Sequence, residues 1–145
     1  MELHNMSILV TGGASGIGKA TAILLAEHGA RVTVGDIDEQ GGEKLKDECL
    51  AKGLTVDFHR LDLASAQSIT DFVKSVGASV TRIDGLVNAA GWDRVEPFLE
   101  NDPALWEKLI AINLLGPIRL TRQVLDFMTP QLSGKIVNIA SDAGR

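Results

Sequence analysis

The chain has 145 residues and a net charge of −5, enough length for one domain with a substantial buried core. Hydrophobic residues make up 45% and charged residues 23%, the balance of a globular protein. Lysine and arginine are dispersed rather than gathered into a basic stripe, which argues against a nucleic-acid partner, and no apolar run approaches the roughly 20 residues that span a bilayer.

The N-terminal stretch MELHNMSILV has no basic region and passes straight into a strand-like run, so a secretory leader is not expected. Cys49 is the one cysteine, which leaves no disulfide framework and no zinc motif. These features favour a reducing cytoplasm. No repeat or linker divides the chain, and residues 1–145 read as one domain.

Short apolar runs alternate with amphipathic segments. Ser7 to Val10 predicts the first strand, and Ile17 to His28 a helix closed by Gly29. Arg31 to Gly35 is the second strand. A charged helix follows from Glu39 to Lys52 and ends at Gly53. Leu54 to His59 is the third strand. Ser65 caps a helix with Ile69, Phe72, Val73 and Val76 at helical spacing. Ile83 to Asn88 is the fourth strand. Asp102-Pro103 is a helix start, and that helix is expected to reach about Met128 with a kink at Gly116-Pro117. Trp106, in step with Leu109 and Ile110, reads as core. Lys135 to Ala140 is the fifth strand. Strictly alternating strands and helices predict an α/β fold, a doubly wound parallel sheet with helices on both faces. Its strands read as nearly continuous apolar runs, as strands buried on both faces do.

The sharpest motif is Thr11-Gly12-Gly13-Ala14-Ser15-Gly16-Ile17-Gly18, between the first strand and the first helix. Glycines there permit a tight turn and a close approach of phosphate to backbone. The helix start adds free N–H groups and the positive end of its dipole. Placement between strand and helix predicts a dinucleotide site, with Gly12, Ser15, Gly16, Ile17 and Gly18 against the cofactor, over the plainer reading of a glycine-rich turn with no ligand. Asp36 ends the second strand, where a carboxylate accepts from an adenosine ribose and repels a 2′-phosphate. Neither Ser15 nor Ile37 is basic, so NAD is expected rather than NADP. A simple turn aspartate remains the plainer reading of Asp36.

TGGASGIG resembles the TGxxxGxG motif of the short-chain dehydrogenase/reductase family. Asn88-Ala89-Ala90-Gly91 is similar to its NNAG motif, with alanine in place of the second asparagine. Asp62, followed by Leu63, resembles the family aspartate beside the adenine ring. Asn113 in IAINLLG and Ser141 in IVNIAS match the catalytic asparagine and serine. These five motifs occur in the family's order across the whole chain. Each has a rival: a turn for Asp62 and Ser141, a buried amide tying strands for Asn88, a core asparagine for Asn113. Trp92, directly after NAAG, either lines a substrate pocket or is packed.

The resemblance implies a Rossmann-type oxidoreductase that moves a hydride between a nicotinamide cofactor and an alcohol or carbonyl. It implies a homo-oligomer, dimer or tetramer. The segment Gly91 to Phe98 resembles the loop of members that oxidise hydroxyacyl-CoA thioesters, where Arg94 either meets a CoA phosphate or sits on the rim. The family's acid/base is the tyrosine of a YxxxK motif beyond the serine. Only four residues follow Ser141, and the chain holds no tyrosine. The expectation is therefore the β1–β5 portion of a longer dehydrogenase, inactive on its own. Loss of a general acid costs at least about 10²–10⁴-fold in rate.

Overall fold

The structure, a computed structural model, describes residues 3–141. Its strands are β1 (Ser7–Thr11), β2 (Arg31–Asp36), β3 (Val56–Arg60), β4 (Gly85–Asn88) and β5 (Lys135–Asn138). Its helices are α1 (Gly16–Glu27), α2 (Glu39–Leu50), α3 (Ala66–Ser79), α4 (Pro103–Ile110) and α5 (Gly116–Gln131). The strands form one sheet of order β3-β2-β1-β4-β5, and every pairing is parallel. Strand order reverses between β1 and β4. Crevices in such sheets open at the C-terminal strand ends beside that reversal. Register sets those ends level, with Thr11 opposite Gly35 on one side and Asn88 on the other.

Alternation along the strands splits the core into two layers. Ile8, Val10, Val32, Val34 and Val87 meet Ala22 and Ala26 of α1 and Leu45 and Cys49 of α2. Leu9 and Leu86 point the other way. They meet Ile69, Phe72 and Val76 of α3 and Leu120, Val124 and Met128 of α5. All of β1 is buried, which is why its sequence shows no polar face. Burial also pushes the Cys49 thiol up, as expected for a packed rather than reactive cysteine.

Side chains start three of the helices. Asp38 Oδ1 accepts from Gly41 N–H at 3.0 Å, Ser65 Oγ from Ser68 N–H at 3.2 Å and Asp102 Oδ1 from Leu105 N–H at 3.0 Å. The segment expected as one kinked helix is instead α4 and α5 joined by a π turn at Ala111–Leu115. Pro117 has no N–H to give the Asn113 carbonyl, and Gly116 N–H reaches five back to the Ala111 carbonyl. Two further differences have local causes. Ile83 precedes β4 because the Gln131 amide holds both its N–H and its carbonyl, at 3.2 and 2.9 Å. Trp106 is not core. It is 40% exposed and stacks on Phe98 of the short turn Phe98–Glu100, with ring centroids 5.8 Å apart.

Candidate functional site

The turn after β1 is fixed from two sides. Gly12 N–H donates to the Gly35 carbonyl at 2.8 Å, and Ala14 N–H donates to Asp36 Oδ2 at 2.9 Å. The other Asp36 oxygen accepts from Asp38 N–H at 3.0 Å. Asp36 is therefore both a turn aspartate and the strut of the glycine-rich loop. Gly18 lets α1 press onto this turn, since a β-carbon there would overlap the Gly12 carbonyl. Gly16 has φ +53 and open space around it.

The start of α1 differs from those of α2, α3 and α4. Ser15 occupies the capping position with extended backbone, yet its side chain makes no capping hydrogen bond. Lys19 N–H is the first to reach back, to the Ser15 carbonyl at 3.0 Å. The amides ahead of it are the orphan donors of a helix start, at the positive end of its dipole. They open on a cleft of about 680 Å³ lined by Gly12, Ser15, Gly16, Ile17, Gly18, Asp36 and Ile37. Leu61, Asp62, Leu63, Ala89, Ala90, Gly91, Trp92, Lys108 and Ile112 line the rest of it. Asp62 Oδ1 accepts from Ala64 N–H at 2.9 Å, so this residue also makes the turn that its plainer reading required.

Thr11 locks the two loops together. Buried at the end of β1, its Oγ1 accepts from the N–H groups of Ala89 and Ala90, each at 3.1 Å. Those two amides are thus used within the protein, and Ala89 and Ala90 meet the cleft with their remaining surface. Thr11 opened the sequence motif without an assigned role, although a hydroxyl ahead of the paired glycines was the available signal. Lys108 escaped the sequence reading, since nothing in sequence spacing brought it to the cleft.

Asn88 and Asn113 face a neighbouring hollow of about 460 Å³ that shares Ala90 with the cleft. Asn88 is 5% exposed, and its Nδ2 donates to Asn138 Oδ1 at 2.9 Å and Thr121 Oγ1 at 3.3 Å, tying β4 to β5 and α5. Asn113 sits in the π turn and clamps the Trp92 peptide. Its Nδ2 donates to the Trp92 carbonyl at 2.7 Å, and its Oδ1 accepts from Trp92 N–H at 2.9 Å. This amide is exposed rather than part of the core. Ser141 lies just past β5, at the same end of the sheet. Arg94 is a rim residue paired with Glu96 at 2.7 Å, which holds its guanidinium above the ordinary range. Among the described residues no group of three His, Cys, Asp or Glu is placed to hold a metal ion. None of their helices is long and apolar enough to cross a membrane.

Residues 6–145 match the short chain dehydrogenase family. The chain belongs to that family. Among relatives of this dehydrogenase chain is the 3-oxoacyl-acyl-carrier-protein reductase FabG of Thermotoga maritima. The two are 38% identical over 146 residues, covering 99% of this chain and 58% of FabG. A second is the (2S)-((R)-hydroxy(phenyl)methyl)succinyl-CoA dehydrogenase subunit BbsD of Thauera aromatica, 38% identical over 143 residues, 99% of this chain and 58% of that one. A metagenomic short-chain oxidoreductase in complex with NADP superposes with TM-score 0.93 at 36% identity, covering 99% of this chain and 65% of that one. This short-chain dehydrogenase chain thus spans little more than half the length of those curated relatives. Like them it has the oxidoreductase family's parallel Rossmann-like sheet.

Proposed function

We propose that this chain is the NAD-binding portion of a short-chain dehydrogenase. Its reaction is hydride transfer between NAD and the alcohol or carbonyl carbon of a small molecule, with a hydroxyacyl-CoA thioester as the favoured class. The observation that carries the reading is the start of α1. It has no side-chain cap, unlike α2, α3 and α4, and it opens on a cleft edged by Asp36. Such a helix start is built for phosphate. Gly16, with empty space where a β-carbon would stand, gives that phosphate room, so the residues present fit a dinucleotide. Asp36 takes the adenosine ribose, Ile37, Asp62 and Leu63 border the adenine, and Gly91 borders the nicotinamide end. NAD is favoured over the NADP of the structural neighbour because the Asp36 carboxylate repels a 2′-phosphate and neither Ser15 nor Ile37 offers a cation.

NAD, when bound, supplies the hydride acceptor at its nicotinamide ring. Ser141 is assigned the hydrogen bond to the substrate oxygen. Asn113 is assigned a place in the proton relay, and Trp92 a place beside the substrate. The names of FabG and BbsD, both reading on acyl carriers or CoA esters, support the thioester class. The acid/base of the family is a tyrosine, and these residues hold none. By itself the chain is therefore an NAD-binding module, and turnover belongs to a longer protein that carries the tyrosine–lysine pair, as a cytoplasmic homo-oligomer. The test is an assay of the 145-residue chain with NAD and a 3-hydroxyacyl-CoA. NAD binding without NADH formation is expected. Turnover at a rate typical of the family would overturn the assignment of the missing acid/base, and absence of any NAD binding would overturn the nucleotide reading.

A further inference from the structure

Lys108 is placed in an unusual way for a lysine on a helix surface. Its Nζ sits 3.9 Å from the centroid of the Trp92 ring, and both residues line the cleft. A long ammonium side chain ordinarily keeps its freedom and its hydration. Here a cation–π contact folds it inward. The platform beneath it is itself held, because the Asn113 amide clamps the Trp92 peptide from both sides.

Two ordinary reasons for such a lysine do not apply. Among the described residues no carboxylate pairs with it. Nor does it serve a helix C-terminus: α4 runs directly into the π turn and α5, so its last carbonyls are used by the chain that follows. Lys108 is also the one cation among the described residues lining the cleft. The carboxylates there, Asp36 and Asp62, already accept from backbone N–H groups. An ammonium with free donors therefore lines the same cleft as a helix start that also attracts anions.

We propose that Lys108, laid over Trp92, is an anion anchor that binds a phosphate group of the nucleotide in this cleft. This rests on the nucleotide reading above and adds a phosphate contact from α4 to those of the glycine-rich turn. Trp92 stores the ammonium in place, so that closing on a phosphate costs little rotamer freedom.

Calorimetric titration of the full chain with ADP and with adenosine tests it, using wild type, Lys108→Met and Lys108→Arg. Methionine keeps the stem and loses the charge; arginine keeps the charge. Lys108→Met is expected to bind ADP roughly three- to tenfold more weakly, the range of one partly exposed charge-assisted contact. Adenosine affinity is expected to stay unchanged, and Lys108→Arg to restore most of the ADP affinity. Added salt is expected to erode the wild-type advantage for ADP. Equal ADP affinity in wild type and Lys108→Met would overturn the anchor while leaving the nucleotide reading intact. Equal weakening for adenosine would also overturn it, since Lys108 would then act on the shape of the cleft. A wild-type chain that binds neither ligand would overturn the nucleotide reading itself.

Discussion

At Gly16 and Gly18 the same substitution meets opposite surroundings. An alanine at Gly18 drives its methyl into the Gly12 carbonyl, so α1 must lift from the turn, at a cost of about 1–3 kcal/mol. An alanine at Gly16 meets no protein atom within 4 Å, and its difficulty is φ +53, worth roughly 1–2 kcal/mol. That methyl stands in the cleft. Thermal unfolding with and without NAD separates the two effects. Wild type is expected to gain thermal stability from NAD. Gly16→Ala is expected to lose stability and most of the NAD-induced rise together. A full NAD-induced rise in Gly16→Ala would mean that phosphate does not sit against this turn. The glycine motif was legible because its requirement is local: a strand, a turn and a helix start adjacent in sequence. The buried amide that ties strands was legible for Asn88 as one of its two readings. The placement of Lys108 was not, because it depends on which distant segments the folded chain brings to the cleft.

Among the elements, α2 is strapped to β3 by Lys46 Nζ and Asp57 Oδ1 at 2.8 Å. Burial pushes the Asp57 carboxyl up, but the Lys46 hydrogen bond and the Phe58 N–H outweigh it and hold the group below the ordinary carboxylate range. The Asp57 hydrogen bond in turn raises Lys46. The signs follow by linkage. Asp57 contributes stability above its unfolded value and loses it as pH falls through the lowered folded value. Lys46 contributes below its unfolded value and loses it as pH rises through the raised one. Both partners are about 40% exposed at 40% and 43%, so the pair is worth only about 0.2–1 kcal/mol. Asp57→Asn is expected to cost that much at neutral pH, with the difference from wild type closing along an acid series of urea unfolding curves. A difference that persists in acid would assign the effect to packing. Helix starts at Ser65 and Asp102 were readable because capping needs only a few consecutive residues; the Asp38 cap of α2 went unread. Pro117 signalled a break. Its form, a π turn that turns the Asn113 amide toward Trp92, emerges only once α4 and α5 are packed on their neighbours.

On the scale of the molecule, strand order and register do what the alternating pattern in the sequence promised. They bring the ends of β1, β2 and β4 level and place five separated segments around one cleft. Leu9 and Val10 show how alternation alone assigns the two core layers. The apolar face of α4 could not be read the same way. Trp106 and Ile110 have helical spacing, yet they are 40% and 51% exposed, because helical spacing makes a stripe and only a packed neighbour makes it core. On the proposed function this cleft takes NAD through an uncapped helix start and Asp36, and isothermal titration of the chain with NAD and with NADP decides it. One NAD is expected to bind per chain, with NADP at least about tenfold weaker, the equivalent of about 1.4 kcal/mol. NADP binding as tightly as NAD, or no binding of either, would contradict it.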